Sequence, residues 1–165
     1  MKVVTGGEIG KLDKSPPQIR NSEISNWTPI AEPNVPFRPP VAADPKRAAE
    51  IHQRLINFGA RTTRVAKMLP KTAEGRYISQ QLLRCGLAAA SNYAEARAAE
   101  SRADFVHKLR IVLKELNESR SWLEQIVANS LFSRDKMVKV IAENQELCWI
   151  IAASIKTARA ARSPI

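Results

Sequence analysis

Few side chains in this chain are suited to bond-making chemistry, and their spacing argues against catalysis. His52 and His107 are the two histidines, each lies near the start of a different apolar repeat, and neither has a carboxylate at a spacing that would share its proton. General acid–base catalysis needs such groups within hydrogen-bond reach, so both read as structural residues. No serine, cysteine or threonine nucleophile stands beside a base, no glycine-rich loop could cradle a phosphate, and no cluster has metal-ligand spacing. Glu95 and Asn92 are the polar positions of the run Ser91-Asn92-Tyr93-Ala94-Glu95. A buried polar group must be paired, so they read as inter-helix hydrogen-bonding or salt-bridging groups. The expectation is a protein that is not an enzyme and uses no cofactor and no metal.

The cations say more. Arg47, Arg54 and Arg61 recur every seven residues beside an apolar seam. At about 100° per residue they hold one edge of a helix, with Arg64 further round. Only Asp44 and Glu50 offset charge on that stretch. Arg76, Arg84 and Arg97 mark a second stretch, and Lys108, Arg110 and Lys114 a third. The planar guanidinium fork suits a phosphate backbone, although cations at such edges also lie over apolar surface with their heads in water. Residues 1–43 carry five basic and four acidic side chains, so nine of the ten net positive charges fall within 44–165. A field of that sign attracts nucleic acid, acidic proteins and anionic membrane surfaces alike. Base-reading features are scarce, because Tyr77, Tyr93, Trp122 and Trp149 sit near apolar seams. Binding to RNA or DNA would therefore run through the backbone and fall steeply with salt.

The elements that must position these groups are helices. Asp44-Pro45 pairs an N-cap with proline at the first helical position. Ile51, Leu55, Phe58, Thr62, Val65 and Leu69 then repeat at helical spacing up to Pro70. A second seam follows Thr72 through Ile78, Leu82, Cys85, Leu87, Ala89 and Tyr93. Its small-residue centre, Cys85 to Ser91, would let a neighbouring helix approach closely. Ser101 and Asp104 approximate a capping box ahead of Phe105, Leu109, Val112, Leu116, Leu123 and Ile126. The fourth pattern starts near Ser133-Arg134-Asp135 and carries Met137, Ile141, Leu147, Cys148, Ile151 and Ile155. Lys156, Arg159 and Arg162 close it with cations where the helix dipole favours them. Four such helices on short connections predict an all-α, antiparallel up-down-up-down four-helix bundle over residues 44–165. Eight of the ten prolines lie in the first 45 residues, so residues 1–43 read as a disordered Pro-rich arm that carries Trp27 and Phe37. Cys85 and Cys148 fall inside apolar helical patterns and read as buried free thiols. The N-terminus lacks a signal-peptide core and no run has the ~18 apolar residues of a membrane helix, so the expectation is a cytoplasmic protein with no membrane partner.

The order of several short elements adds a resemblance. Leu69-Pro70-Lys71-Thr72-Ala73-Glu74, then Tyr77, then Gln81-Leu82-Leu83-Arg84-Cys85 precede Ala90-Ser91-Asn92-Tyr93-Ala94-Glu95. Ser101-Arg102-Ala103-Asp104-Phe105 and Leu113-Lys114-Glu115-Leu116-Asn117-Glu118 follow. Residues of about 46–160 thereby resemble the bacterial four-helix bundle proteins of the 23S rRNA-intervening sequence family, with Ser91, Asn92, Glu95, Asp104 and Phe105 as the matching motif positions. The glycine that follows the glutamate in that family is Ala96 here, so the second helix is expected to run on through Ala98-Ala99. The resemblance implies a protomer that assembles into a pentameric ring. It also implies kinship with the accessory variability determinant proteins of diversity-generating retroelements, which pair with a reverse transcriptase and its template RNA.

Two functional expectations follow. The first is a basic homo-oligomer, pentameric by the resemblance, that binds an RNA or DNA backbone through Arg47, Arg54, Arg61, Arg64 and neighbouring cations and serves a nucleic-acid enzyme such as a reverse transcriptase. The second is a protein-interaction scaffold with no nucleic-acid role, whose N-terminal arm captures a partner. Deleting residues 1–43 separates them, since only the scaffold loses its partner.

Overall fold

The structure, a computed structural model, describes residues 44–160. The arm with Trp27 and Phe37, and Arg162, lie outside the described residues. Four α-helices and no strand occur among the described residues: α1 Pro45–Met68, α2 Ala73–Arg97, α3 Arg102–Ala128 and α4 Arg134–Ala160. Successive helices pack as antiparallel neighbours, and α1 meets α4 along a much thinner seam that closes the bundle. The all-α four-helix bundle expected from the periodicity is what the chain forms.

Local chemistry sets each boundary. The Asp44 carboxylate accepts from the Arg47 amide at 3.0 Å, and Pro45 occupies the first turn, where a missing N–H costs nothing. Leu69 takes the extended backbone demanded by Pro70 and ends α1. Thr72 Oγ1 then accepts from the Gly75 amide at 3.2 Å, starting α2. A Cβ on Gly75 would fall 2.0 Å from the Pro70 carbonyl oxygen, so only glycine fits that turn. Ser101 Oγ accepts from the Asp104 amide at 3.1 Å at the head of α3. Contrary to the extension expected from Ala96, α2 stops at Arg97, and Ala98 caps it at φ −97° and ψ 9°. Ala96 and Ala99 are both buried, so packing turns the chain without a left-handed residue.

The core is built from the expected seams. Leu55 and Phe58 of α1, Leu82 and Cys85 of α2, Leu109, Val112, Leu116 and Leu123 of α3, and Leu147 and Ile151 of α4 are fully buried. Each large aliphatic or aromatic side chain so buried contributes roughly 1.5–3 kcal/mol relative to exposure. Three sequence assignments need correction. Leu87 is 51% exposed, because the buried face of α2 continues through Gly86 and Ala89 instead. Tyr77 and Trp149 are likewise exposed, at 56% and 65%. Tyr77 covers the half-buried Trp122 edge-on, with ring centroids 5.7 Å apart, while Tyr93 alone of the four aromatics lies fully inside.

Cys85 and Cys148 are free and buried, and burial pushes both thiols above their ordinary range. The thiolate is the reactive form. The folded protein at pH 7.5 is therefore expected to resist iodoacetamide, with both thiols alkylated once denaturant unfolds it. Mass spectrometry of intact protein reads the result, and fast native labelling would contradict the burial.

Candidate functional site

The cations singled out in the sequence do not form one stripe. Arg54, the middle member of the seven-residue repeat, is held across the thin α1–α4 seam. Its Nε donates to Glu143 Oε1 at 3.0 Å and its Nη2 to Glu146 Oε2 at 2.7 Å. These charged hydrogen bonds hold the Arg54 guanidinium more firmly protonated than usual. Arg61 Nη1 lies 4.0 Å from the other oxygen of Glu143. The offsetting acids thus come from α4, where inspection of α1 alone could not find them.

Several other cations are also occupied. Arg84 pairs with Glu118 of α3, and Lys108 pairs with Glu95 of α2. The Lys108–Glu95 pair gives Glu95 the inter-helix role read from its motif. Asn92 departs from that reading, because its Nδ2 donates within its own helix to the Ala88 carbonyl at 2.9 Å. Ser91 is exposed and Phe105 is buried. Arg97 Nη1 stands 3.5 Å from His52 Nδ1, and Arg76, Arg110 and Lys114 are exposed on other faces. Arg47 lies at the N-terminal end of α1, beside a groove of about 460 Å³ that Tyr93 and Trp149 also line.

Four cations converge at the opposite end of the α1–α4 seam. Arg61 and Arg64 of α1 face Lys136 and Lys139 of α4 across a groove of about 400 Å³. The rest of its lining is apolar: Val65, Met68, Phe132, Met137 and Val140. Arg64, Lys136 and Lys139 form no ion pair with another described residue, and Arg61 has only its long contact with Glu143. Four cations gathered around one groove repel one another. All four side chains are exposed, and an anion laid across them would meet direct charge–charge contacts. Sequence reading found Arg61 and Arg64 and missed Lys136 and Lys139. A signal existed: both lysines flank Met137 and Val140 of the buried face of α4, as the arginines flank the seam of α1.

Among the described residues no group of three or more His, Cys, Asp or Glu side chains could hold a metal ion, and no helix is long and apolar enough to cross a membrane.

With the four-helix protomer in view, comparison with known proteins is direct. The pattern of the 23S rRNA-intervening sequence protein family matches residues 47–153. The chain belongs to that family. The match spans all of the charged seam and stops within α4. The fold is similar to that of a crystal structure from Bacteroides thetaiotaomicron described as a protein of unknown function from the S23 ribosomal protein family. The two are 31% identical, with a TM-score of 0.61, over 64% of this chain and 98% of the other. No curated protein matches the chain.

Proposed function

We propose that this family member is a non-enzymatic, basic homo-oligomer that binds the backbone of RNA or DNA as an accessory to a nucleic-acid enzyme. The observation that carries the reading is the groove ringed by Arg61, Arg64, Lys136 and Lys139. Such a site neutralises phosphates without reading bases, which suits the net positive charge of residues 44–165 and the shortage of exposed aromatics near it. Self-association is supported by Ile56 and Leu87, which are 44% and 51% exposed. Leu87 of α2 comes within 3.4 Å of the place a Cβ on Gly59 of α1 would take, and contiguous apolar surface, where it is exposed, favours contact with another protein. A ring of five subunits and a reverse transcriptase with its template RNA as partners are the specific forms suggested by the family resemblance.

RNA binding by the purified protein across a salt series, with solution mass measured alongside, tests this reading. Log affinity is expected to fall linearly with log salt. The double reversal R61E/R64E should weaken binding to all sequences alike and reduce the salt slope by about 1 for each phosphate no longer neutralised. K136E/K139E should do the same from the opposite wall. Unchanged affinity and slope in both variants would remove this groove as the site. Stable assembly with no RNA binding even at low salt would remove the nucleic-acid role.

A further inference from the structure

The cationic groove offers two kinds of surface, and a phosphate needs only one of them. Arg61 and Arg64 of α1 and Lys136 and Lys139 of α4 supply the charge, and all four are exposed. The apolar part of the lining is also open to solvent in places. Met68 is 68% exposed, and Val65 and Phe132 are half-buried, whereas Met137 and Val140 are buried and add little surface. Arginine and lysine stems shield apolar surface by lying over it, yet Met68 stays open in a groove lined by four of them. A thioether and a phenyl ring left partly in water are stabilised by any occupant that covers them.

Polyanions differ in what they bring to such a lining. A duplex stacks its bases on one another and turns phosphate, sugar and base edges outward. A hollow of about 400 Å³ has the size of a small-molecule pocket, so it has no room for a duplex but admits a base turned out of a strand. In a single strand the bases are free to turn in, and stacking on side chains tolerates every base, since each has a π face. Arg61 and Arg64 stand three residues apart, as do Lys136 and Lys139. Each pair therefore spans only about 4.5 Å along its helix and presents a compact double charge. Closely spaced negative charge matches that arrangement, and a phosphodiester strand carries it at every residue. We infer that the groove takes single-stranded nucleic acid, with a base against Met68 and Phe132 and the flanking phosphates on the two cation pairs. This rests on the nucleic-acid role proposed above and specifies the form of its ligand.

Charge alone predicts the opposite preference, because a duplex carries the denser charge. Fluorescence anisotropy of the full-length protein at one salt concentration is compared for three labelled RNA probes of equal length. They are a non-pairing single strand of mixed sequence, the same strand with abasic residues throughout, and the duplex. The single strand is expected to bind tightest, and the abasic strand about tenfold more weakly, the value of one stacked base. M68A should weaken the natural strand and leave the abasic strand unchanged, and the exposure of Met68 spares the fold. F132L keeps apolar volume while removing the aromatic face, and should act in the same way, with far-UV circular dichroism and the urea midpoint checking the bundle. Equal binding of natural and abasic strands, with both variants silent, would overturn the inference and leave a backbone-only site standing. Tightest binding to the duplex would do the same. No binding of any probe at low salt would remove the nucleic-acid role and this inference together, and binding of an acidic amphipathic peptide in that case would give the groove to a protein partner.

Discussion

Gly86→Val is expected to cost the fold on the order of 3 kcal/mol, although glycine inside a helix is ordinarily a liability. A Cβ at Gly86 would lie 2.3 Å from Thr62 Oγ1 and 3.0 Å from Thr62 Cβ. Thr62 is fully buried, and its hydroxyl is tied to the Gly59 carbonyl at 2.9 Å, so it has little room to yield. Gly59 faces the same crossing, where an added Cβ would meet the Gly86 carbonyl oxygen at 3.1 Å. The α1 and α2 backbones therefore pass close together, and overpacking a tight crossing costs typically about 1–3 kcal/mol, with a branched side chain at the upper end. Alanine gives the more telling comparison. At an open helical site Gly→Ala would stabilise by up to about 1 kcal/mol, so a destabilised G86A would reveal the clash by its sign. Adding T62A should recover part of the loss. Urea unfolding of the four proteins of that cycle measures the coupling, and strict additivity would mean the two residues do not meet.

Asn144→Asp is expected to be nearly silent in acid and severe at neutral pH. Asn144 is fully buried on α4, its Nδ2 donates to the Leu116 carbonyl at 2.9 Å, and its Oδ1 lies 3.8 Å from Cys148 Sγ. Aspartate has the same shape. A protonated carboxyl can still donate to Leu116, whereas a carboxylate sets a charge against a carbonyl oxygen in a fully buried position. Burial of that kind raises a carboxyl by up to about 3–5 pKa units. The native state then holds its proton more tightly than the unfolded chain, whose aspartate titrates near about 3.9. Relative to the wild type, the variant keeps its stability below that value and loses it as pH rises toward the folded pKa. At about 1.36 kcal/mol per unit, the loss by pH 7 approaches ~4 kcal/mol. Thermal or urea unfolding at pH 4 and pH 7 reads the difference, and an equal effect at both would show that the site is wet.

Much of this architecture could be read directly from residue patterns. Proline and its caps placed the start and end of α1, and the seams of α3 and α4 named most of their buried residues. The errors have a common physical origin. Leu87 is apolar, yet the close α1–α2 crossing chooses Gly86 for the inside, a decision made by backbone distance and not by hydropathy. Ala96 does not prolong α2, because Ala96 and Ala99 are drawn into the core by contacts distant in sequence. The candidate site was harder. Periodicity along α1 located Arg54 and Arg61 on one edge, but their acids sit some ninety residues away on α4. Lys136 and Lys139 become partners of Arg61 and Arg64 only once α1 and α4 are laid side by side. Neither fact has a local signature. Asn144 reads from sequence as an ordinary polar helix residue, and only its burial shows that it locks α4 to α3.

The thin seam between first and last helices gives the protomer a direction. Asp44 and Thr157 share the groove at one end, so the bundle's chain ends are neighbours there, while the four cations gather at the other. From Asp44 to Arg64 is about 30 Å along α1 at 1.5 Å per residue. A closed ring of parallel protomers would inherit that polarity as two unlike rims. One would carry the groove shared by Asp44 and Thr157, and the other would be a collar of positive charge, so that anything seated in the first and an anion laid across the second would be kept a helix length apart.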